Sequence, residues 1–311
     1  MSLEKNANDS DSFRPYGSGK TRLAARLAFE LGSEVISADS RQVYKGMDLG
    51  TGKDLEDYIV KGKEIKYHLI DIRNAGERYN LFEFQHDCHK ALEDIYSRGI
   101  EHPIICGGTG MYAESILRGY NLPDVPANES LRKELSHFSM DELVTRLKGY
   151  GPLHNQTDID NPRRTIRAIE IADYISKHPT EKTGFPPVNS VNFCLDLPRE
   201  ERRARISARL QKRLKAGMTQ EVERLLASGV KAEDLIYYGL EYKYVTLYVI
   251  GEISYQEMAE QLEIAIHQFA KRQMTWFRGM ERRGIKLNMI DAMLPLSEQV
   301  KEVLTVFKRK L

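Results

Sequence analysis

Residues 14–21 read "RPYGSGKT", and the reading of that octapeptide decides the fold. Its second half, Ser18-Gly19-Lys20-Thr21, ends as a phosphate-binding loop ends, with a lysine for charge and a hydroxyl for Mg²⁺. Its first half departs: the pattern G-x-x-x-x-G-K-[ST] has glycine where this chain has Arg14. A P-loop also follows a buried apolar strand, and here residues 6–13 are "NANDSDSF". Downstream the signal is clean. Thr21 to Leu31, "TRLAARLAFEL", has helical apolar spacing, so SGKT opens a helix whose N-terminal N–H groups can gather round an anion.

Working outward, "EVISADS" (34–40) predicts a strand ending in polar residues, and "YHLIDI" (67–72) predicts another. "NLFEFQHDCHKALEDIYSRG" (80–99) is an amphipathic helix stopped by Gly99. "HPIICGGTG" (102–110) is a strand running into a glycine turn, followed by a helix, "MYAESILRG". Strands alternating with helices imply a parallel α/β sheet, with the ligand site beyond the carboxyl ends of the strands. Asp39, Ser40, Gly107, Gly108 and Thr109 fall there.

After the joint "NLPDVPANES" (121–130) only helices are expected to about residue 180, among them "NPRRTIRAIEIADYISKH" (161–178). "HPTEKTGFPPVNS" (178–190) is a second joint, and "VNFCLDL" (191–197) returns to strand. Residues 199–283 read as mostly helical and locally basic, with one more strand at "KLNMID" (286–291). The expected architecture is a P-loop NTPase-like α/β parallel sheet core with a helical C-terminal part, formed by 1–123 and 185–311. A helical insertion domain occupies 124–184.

The 311 residues carry a net charge of +1, so binding to nucleic acid has to come from local clusters. Cys88, Cys106 and Cys194 are far apart and form no C-x-x-C pair, which points away from structural zinc and toward a reducing compartment. No apolar run resembles a signal peptide or a membrane span, so a cytoplasmic location without membrane attachment is expected.

Several clusters could carry chemistry. Asp39 at a strand end could face a ligand or simply cap a turn. "CGGTGMY" (106–112) allows close backbone approach, or is an ordinary strand-to-helix turn. Arg163 and Arg167 stand one helical turn apart, with Arg164 beside them. "AKRQMTWFRGMERRGIK" (270–286) gathers basic residues around the only tryptophan, Trp276. That mixture suits phosphates and unstacked bases, and equally suits an amphipathic helix with Trp276 in the core. "PREERRARISARLQKRLKAG" (198–217) reads as a solvated basic helix.

In the order SGKT, ISADSRQVYKGMDLGTGK, CGGTGMY, NPRRTIRAIE, AKRQMTWFR, these segments resemble the tRNA dimethylallyltransferase family, over residues 17 to 283. The resemblance implies transfer of a dimethylallyl group from dimethylallyl diphosphate to N6 of the adenosine next to the anticodon, with Mg²⁺. It implies the tRNA anticodon stem-loop as partner, and a monomer is expected. By motif, Gly17, Ser18, Gly19, Lys20 and Thr21 would hold the diphosphate, with Thr21 on the metal. Asp39 would be the general base, Thr109 would line the reaction channel, and Arg167 would also meet the diphosphate. Contacts to tRNA would come from Asp39, Ser40, Arg41, Gln42, Arg132, Arg163, Arg164, Arg167, Lys271, Arg272, Gln273, Trp276 and Arg278.

The family loop reads G-P-T-A-S-G-K-T, against R-P-Y-G-S-G-K-T here. Read one nucleotide later, codons for residues 8–17 can encode TILILFGPTA, a buried strand plus the complete loop. Residues 1–17 are therefore expected to be an out-of-frame reading. Two other functions stay open: a P-loop kinase of nucleotides or small molecules, and a catalytically impaired tRNA-binding homologue.

Overall fold

The computed structural model describes residues 19–152, 156–178 and 184–310. The octapeptide's first residues, including Gly17 and Ser18, lie outside them, as does the expected frame change over 1–17. The chain forms two compact units, one of residues up to Leu117 and from Asn189 onward, the other of Arg118–Val188.

The first unit begins with α1 (Lys20–Leu31), which ends where Gly32 turns left-handed at φ 62°. Then come β1 (Val35–Ser37), the hairpin strands β2 (Ile59–Val60) and β3 (Lys63–Glu64), and β4 (Tyr67–His68). Helix α2 (Leu81–Ser97) starts on an Asn80–Glu83 capping box, and β5 (Ile104–Cys106) leads into α3 (Gly110–Arg118). The sheet order is β4-β1-β5, all parallel, with Val35 opposite both Tyr67 and Ile104. The strand expected at 67–72 is shorter than its apolar pattern. Leu69 and Asp71 adopt positive φ, which ends the ladder at His68.

The second unit is helical, as its pattern implies. It holds α4 (Glu129–Leu135), α5 (Met140–Gly149) and α6 (Pro162–Lys177). Asn161 caps α6, and Pro162 sits at the first helical position, where its missing N–H costs nothing. Leu135, Leu143, Leu147 and Ile169 form its core.

Beyond Asn189 the first unit resumes with β6 (Asn192–Asp196). It continues through α7 (Arg199–Lys215), α8 (Met218–Ala227), α9 (Ala232–Tyr237), α10 (Leu240–Val249) and α11 (Tyr255–Arg282). It closes with β7 (Leu287–Asp291) and α12 (Leu296–Lys308). β6 and β7 pair in parallel as a separate sheet. Helix α1 serves both sheets. Ala24, Ala25 and Ala28 pack with Val35 and Ile70, while Leu23 and Leu27 pack with Ile290, Val300 and Val303. Ile104 of β5 and Phe193 and Leu195 of β6 lean on that second cluster. Ile104 donates to Glu34 O and Cys106 accepts from Ala38 N, so Ile105 directs its backbone groups away from β1. Among the described residues nothing pairs with that edge. This is a P-loop-like α/β core whose parallel strands fall into two groups. Among the described residues no helix is long and apolar enough to cross a membrane.

The long loop after β1 is tied down by buried charge. Glu221 of α8 accepts from the backbone N–H groups of Asp48 (3.0 Å), Leu49 (2.8 Å) and Gly50 (3.1 Å), and from the Tyr242 hydroxyl (2.6 Å). The fully buried Lys53 donates to Tyr44 O (2.6 Å), Asp48 (2.7 Å) and Asp71. Glu221→Ala would strand those donors, and a loss on the order of 3 kcal/mol or more is expected. Urea unfolding measures it, and an unchanged midpoint would mean the loop is held by something else.

Glu34, beside β1, accepts from both Arg98 guanidinium nitrogens and lies 2.7 Å from His68 Nε2. The Arg98 hydrogen bonds, opposed by burial and helped by His68, pull its carboxyl from 4.5 down to about 2. The folded carboxyl therefore takes up its proton later than the unfolded one. Its stabilisation is complete above about pH 4.5 and is lost as pH falls toward about 2. Glu34→Gln should flatten the acid limb of stability against pH in that window, measured by denaturant midpoints; an unaltered limb would assign acid unfolding elsewhere.

Candidate active site

The site grows from the carboxyl ends of two neighbouring strands. Ser37 of β1 lies in register with Cys106 of β5, and the chains continue side by side as Ala38-Asp39-Ser40 and Gly107-Gly108-Thr109. Ala38 N donates to Cys106 O (2.8 Å), and Thr109 N donates back to Ala38 O (3.3 Å). This approach demands glycine, since a Cβ on Gly107 would stand 2.1 Å from Ala38 O. The Thr109 hydroxyl accepts from Ser40 N (3.1 Å) and lies 3.4 Å from the Ser40 hydroxyl. Asp39 Oδ1 accepts from Arg41 N (2.9 Å), a turn that fixes the carboxylate and leaves Oδ2 without a hydrogen bond among the described residues.

Lys20 and Thr21 open α1. Gly19, at φ 75°, precedes them without a side-chain cap, and no acidic residue occupies the first turn. A Cβ on Gly108 would lie 4.0 Å from Lys20 Nζ, so the helix start and the glycine turn share one locality. The Thr21 hydroxyl has no hydrogen-bond partner among the described residues. Burial pushes the Cys106 thiol up to about 11; Lys20 opposes the shift and Asp39 adds to it. The thiol between these charges therefore stays protonated at neutral pH and is a poor nucleophile.

Helix α11 braces the turn from the other side. Gln273 Nε2 donates to Gly108 O (2.8 Å), and the Trp276 indole fills the space a Cβ on Gly110 would need, 2.2 Å from Cδ1. Arg283 lies 5.5 Å from the Trp276 ring and pairs with the buried Glu114 of α3 (both oxygens 2.6 Å). Gln273 and Trp276, expected at an RNA surface, here hold the glycine turn. Lys271, Arg272 and Arg278 stay exposed, with no carboxylate in ion-pair range among the described residues. Gln42 is also engaged inward. Its amide oxygen accepts from Ser37 Oγ (2.9 Å) and its nitrogen donates to Gly52 O (3.1 Å).

Four expected arginines belong to the second unit. Arg132 donates to both Glu170 oxygens (3.0 Å each), and Arg167 donates to Glu170 and to Val125 O (2.8 Å). Burial alone would raise the Glu170 carboxyl; Arg132, Asn128 N–H and Arg167 outweigh it and hold the carboxyl low. Arg164 pairs with Asp160 (2.7 Å), and Arg163 is exposed with no ion pair among the described residues.

The basic helix at 198–217 corrects its sequence reading. It is not simply solvated: Arg213 is 6% exposed and reaches Asp54 (3.2 Å) across the space above Gly52. Burial lowers Arg209 to about 10 and Arg213 adds to the effect, while Glu241, Asp54 and Asp39 oppose it. Burial likewise raises the Glu241 carboxyl. A cation close enough to feel Asp39 was therefore hidden in a run of surface-like arginines. The available signal was the stripe Ile206, Leu210, Arg213, Leu214, where an arginine occupies a core position.

These features agree with the comparisons to known proteins. Residues 42–280 match the IPP transferase family. The tRNA dimethylallyltransferase 1 of Porphyromonas gingivalis is 59% identical over 293 residues, 94% of this chain and 97% of that protein. The protein of the same name from Parabacteroides distasonis is 55% identical over 297 residues, 96% of each. Among solved structures, the full-length tRNA isopentenylpyrophosphate transferase of Bacillus halodurans aligns with a TM-score of 0.68 at 30% identity. That alignment covers 94% of this chain and 93% of the other. With its motifs in order and matches along nearly its whole length, the chain belongs to the IPP transferase family.

Proposed function

We propose that this enzyme transfers a dimethylallyl group from dimethylallyl diphosphate to N6 of the adenosine next to the anticodon of a tRNA. The observation that carries the reading is the clasp between Ala38-Asp39-Ser40 and Gly107-Gly108-Thr109, set beside the Lys20 end of α1. It offers a fixed carboxylate and, close by, an uncapped helix start with a lysine.

An adenine N6 amine is a weak nucleophile, and diphosphate leaves readily only when its charge is neutralised. Lys20 and the first N–H groups of α1 would receive the leaving diphosphate. As the allylic C–O bond breaks, N6 forms the new C–N bond and passes its proton to Asp39 Oδ2. Arg41 N holds the other carboxylate oxygen, so the base is oriented before the adenine arrives. The adenine must leave its stack to reach Asp39. A divalent metal fits the donor set. The Thr21 hydroxyl stands in the uncapped first turn of α1, and Mg²⁺ characteristically binds phosphate oxygens with few protein ligands. The Thr21 hydroxyl would be its protein ligand, and the ion would neutralise diphosphate charge. Lys271, Arg272, Arg278 and Arg163 are the exposed cations we assign to tRNA phosphates. The chain would act as a monomer in the cytoplasm.

The departing half of the loop favours a second reading, an RNA-binding homologue with impaired transfer. A transfer assay separates the two, with unmodified tRNA, dimethylallyl diphosphate and Mg²⁺, for this chain and for one carrying TILILFGPTA at 8–17. Product from the restored chain, at least about 100-fold above this one, is expected. Equal turnover would show that Arg14 and Tyr16 are tolerated. No product from either would favour the binding protein. Asp39→Ala in the restored chain should lower turnover by about 100-fold or more with tRNA binding kept; full turnover would remove Asp39 from the chemistry.

A further inference from the structure

Two adjacent tyrosines at the end of α9 have opposite fates. Tyr238 is fully buried, its hydroxyl donating to Glu77 O and accepting from Gly76 N (2.8 Å), its ring 4.2 Å from that of Tyr44. Tyr237 is 52% exposed. Its hydroxyl has no protein partner among the described residues. An aromatic ring left in water beside an available core contributes little to folding.

Two guanidinium groups gather on that exposed ring. Arg78 lies 3.9 Å from its centroid and Arg41 lies 5.7 Å away. Arg78 is held by Asp234 (2.7 Å), one turn before Tyr237 on α9, and its loop is pinned by the Tyr238 hydroxyl at Gly76 and Glu77. Arg41 follows the Asp39 turn by two residues, and its guanidinium has no carboxylate in ion-pair range among the described residues. The arrangement is therefore pre-ordered, cationic and aromatic, and it adjoins the carboxylate assigned to proton removal. An unpaired base stacks on such a ring while its phosphate meets the guanidinium groups, because every base has a π-face and every nucleotide a negative charge.

We propose that Tyr237, with Arg41 and Arg78, is a docking platform for a second, non-reacting nucleotide of the RNA loop, beside the adenosine that enters the Asp39 site. This rests on the function proposed above. The platform would keep the loop splayed while the target base is out of its stack, and so would act on RNA affinity rather than on chemistry.

A protein–RNA coupling cycle tests it. Anticodon stem-loops with one base at a time removed are titrated against the unchanged protein, Tyr237→Ala and Tyr237→Phe. Tyr237→Ala should weaken binding of the intact stem-loop by roughly 5- to 100-fold, and Tyr237→Phe should keep it. At one loop position other than the modified adenosine, base removal should weaken the unchanged protein similarly and cost Tyr237→Ala nothing further. Arg78→Ala should lower the salt dependence of binding. Effects that add independently at every position, or undiminished binding by Tyr237→Ala, would overturn the platform while leaving the transferase reading in place. Failure of the unchanged protein to bind any stem-loop would overturn both.

Discussion

The site depends on one backbone contact, the approach of Gly107 to the carbonyl of Ala38. A single methyl group there would overlap the oxygen at 2.1 Å, so the two strand ends can run abreast only while residue 107 is glycine. That proximity lets Thr109 reach back to Ala38 O and lets its hydroxyl receive Ser40 N. Asp39 is then fixed between two bonded neighbours, its orientation set by the sheet and not by its own rotamer freedom. A carboxylate placed this way loses little entropy when a ligand arrives, which is the physical content of preorganisation.

The same turn explains why α11 is both apolar and basic. Gln273, Trp276 and Met280 recur at helical spacing on the side facing the glycine turn and the core. Lys271, Arg278 and Arg282 recur on another stripe and are exposed. One helix thus packs against the glycine turn while presenting charge outward. The Arg283–Glu114 pair anchors its last turn to α3. The packed tryptophan and the exposed basic stripe lie on different faces of one helix.

The alternation of strands and helices was legible because periodicity reports local burial, and burial in β1, α1 and α2 follows the apolar pattern closely. The glycine turn was legible because a run of glycines beyond a strand has few uses. What stayed hidden was every feature made by distant residues meeting. Arg213 looked like a surface cation until Asp54 and Gly52 supplied its pocket. Nothing local to Glu221 shows that three N–H groups of the 48–50 loop converge on it. Arg132 and Arg167 read as ligand contacts, and nothing in the sequence showed that both also bond Glu170 inside their own unit. Charge type can be read from sequence; the partner that decides a charge's role cannot.

The sheet itself bears on the anomalous octapeptide. β1, flanked by β4 and β5, is buried along its whole length, while β5 and β6 are only half-buried. Both of these strands lean on the Leu23, Leu27 and Val300 cluster, and Ile105 turns its N–H and C=O away from β1. A parallel strand laid along that edge would satisfy those groups, but its side chains would meet Ile104, Phe193 and Leu195. Such a position takes a nearly continuous apolar run, because both faces of a parallel sheet are covered. "TILILF" meets that requirement at every position after its threonine. An acidic run such as "NDSDSF" does not have that character. The apolar edge is therefore the kind of surface that the strand expected from the shifted frame would cover.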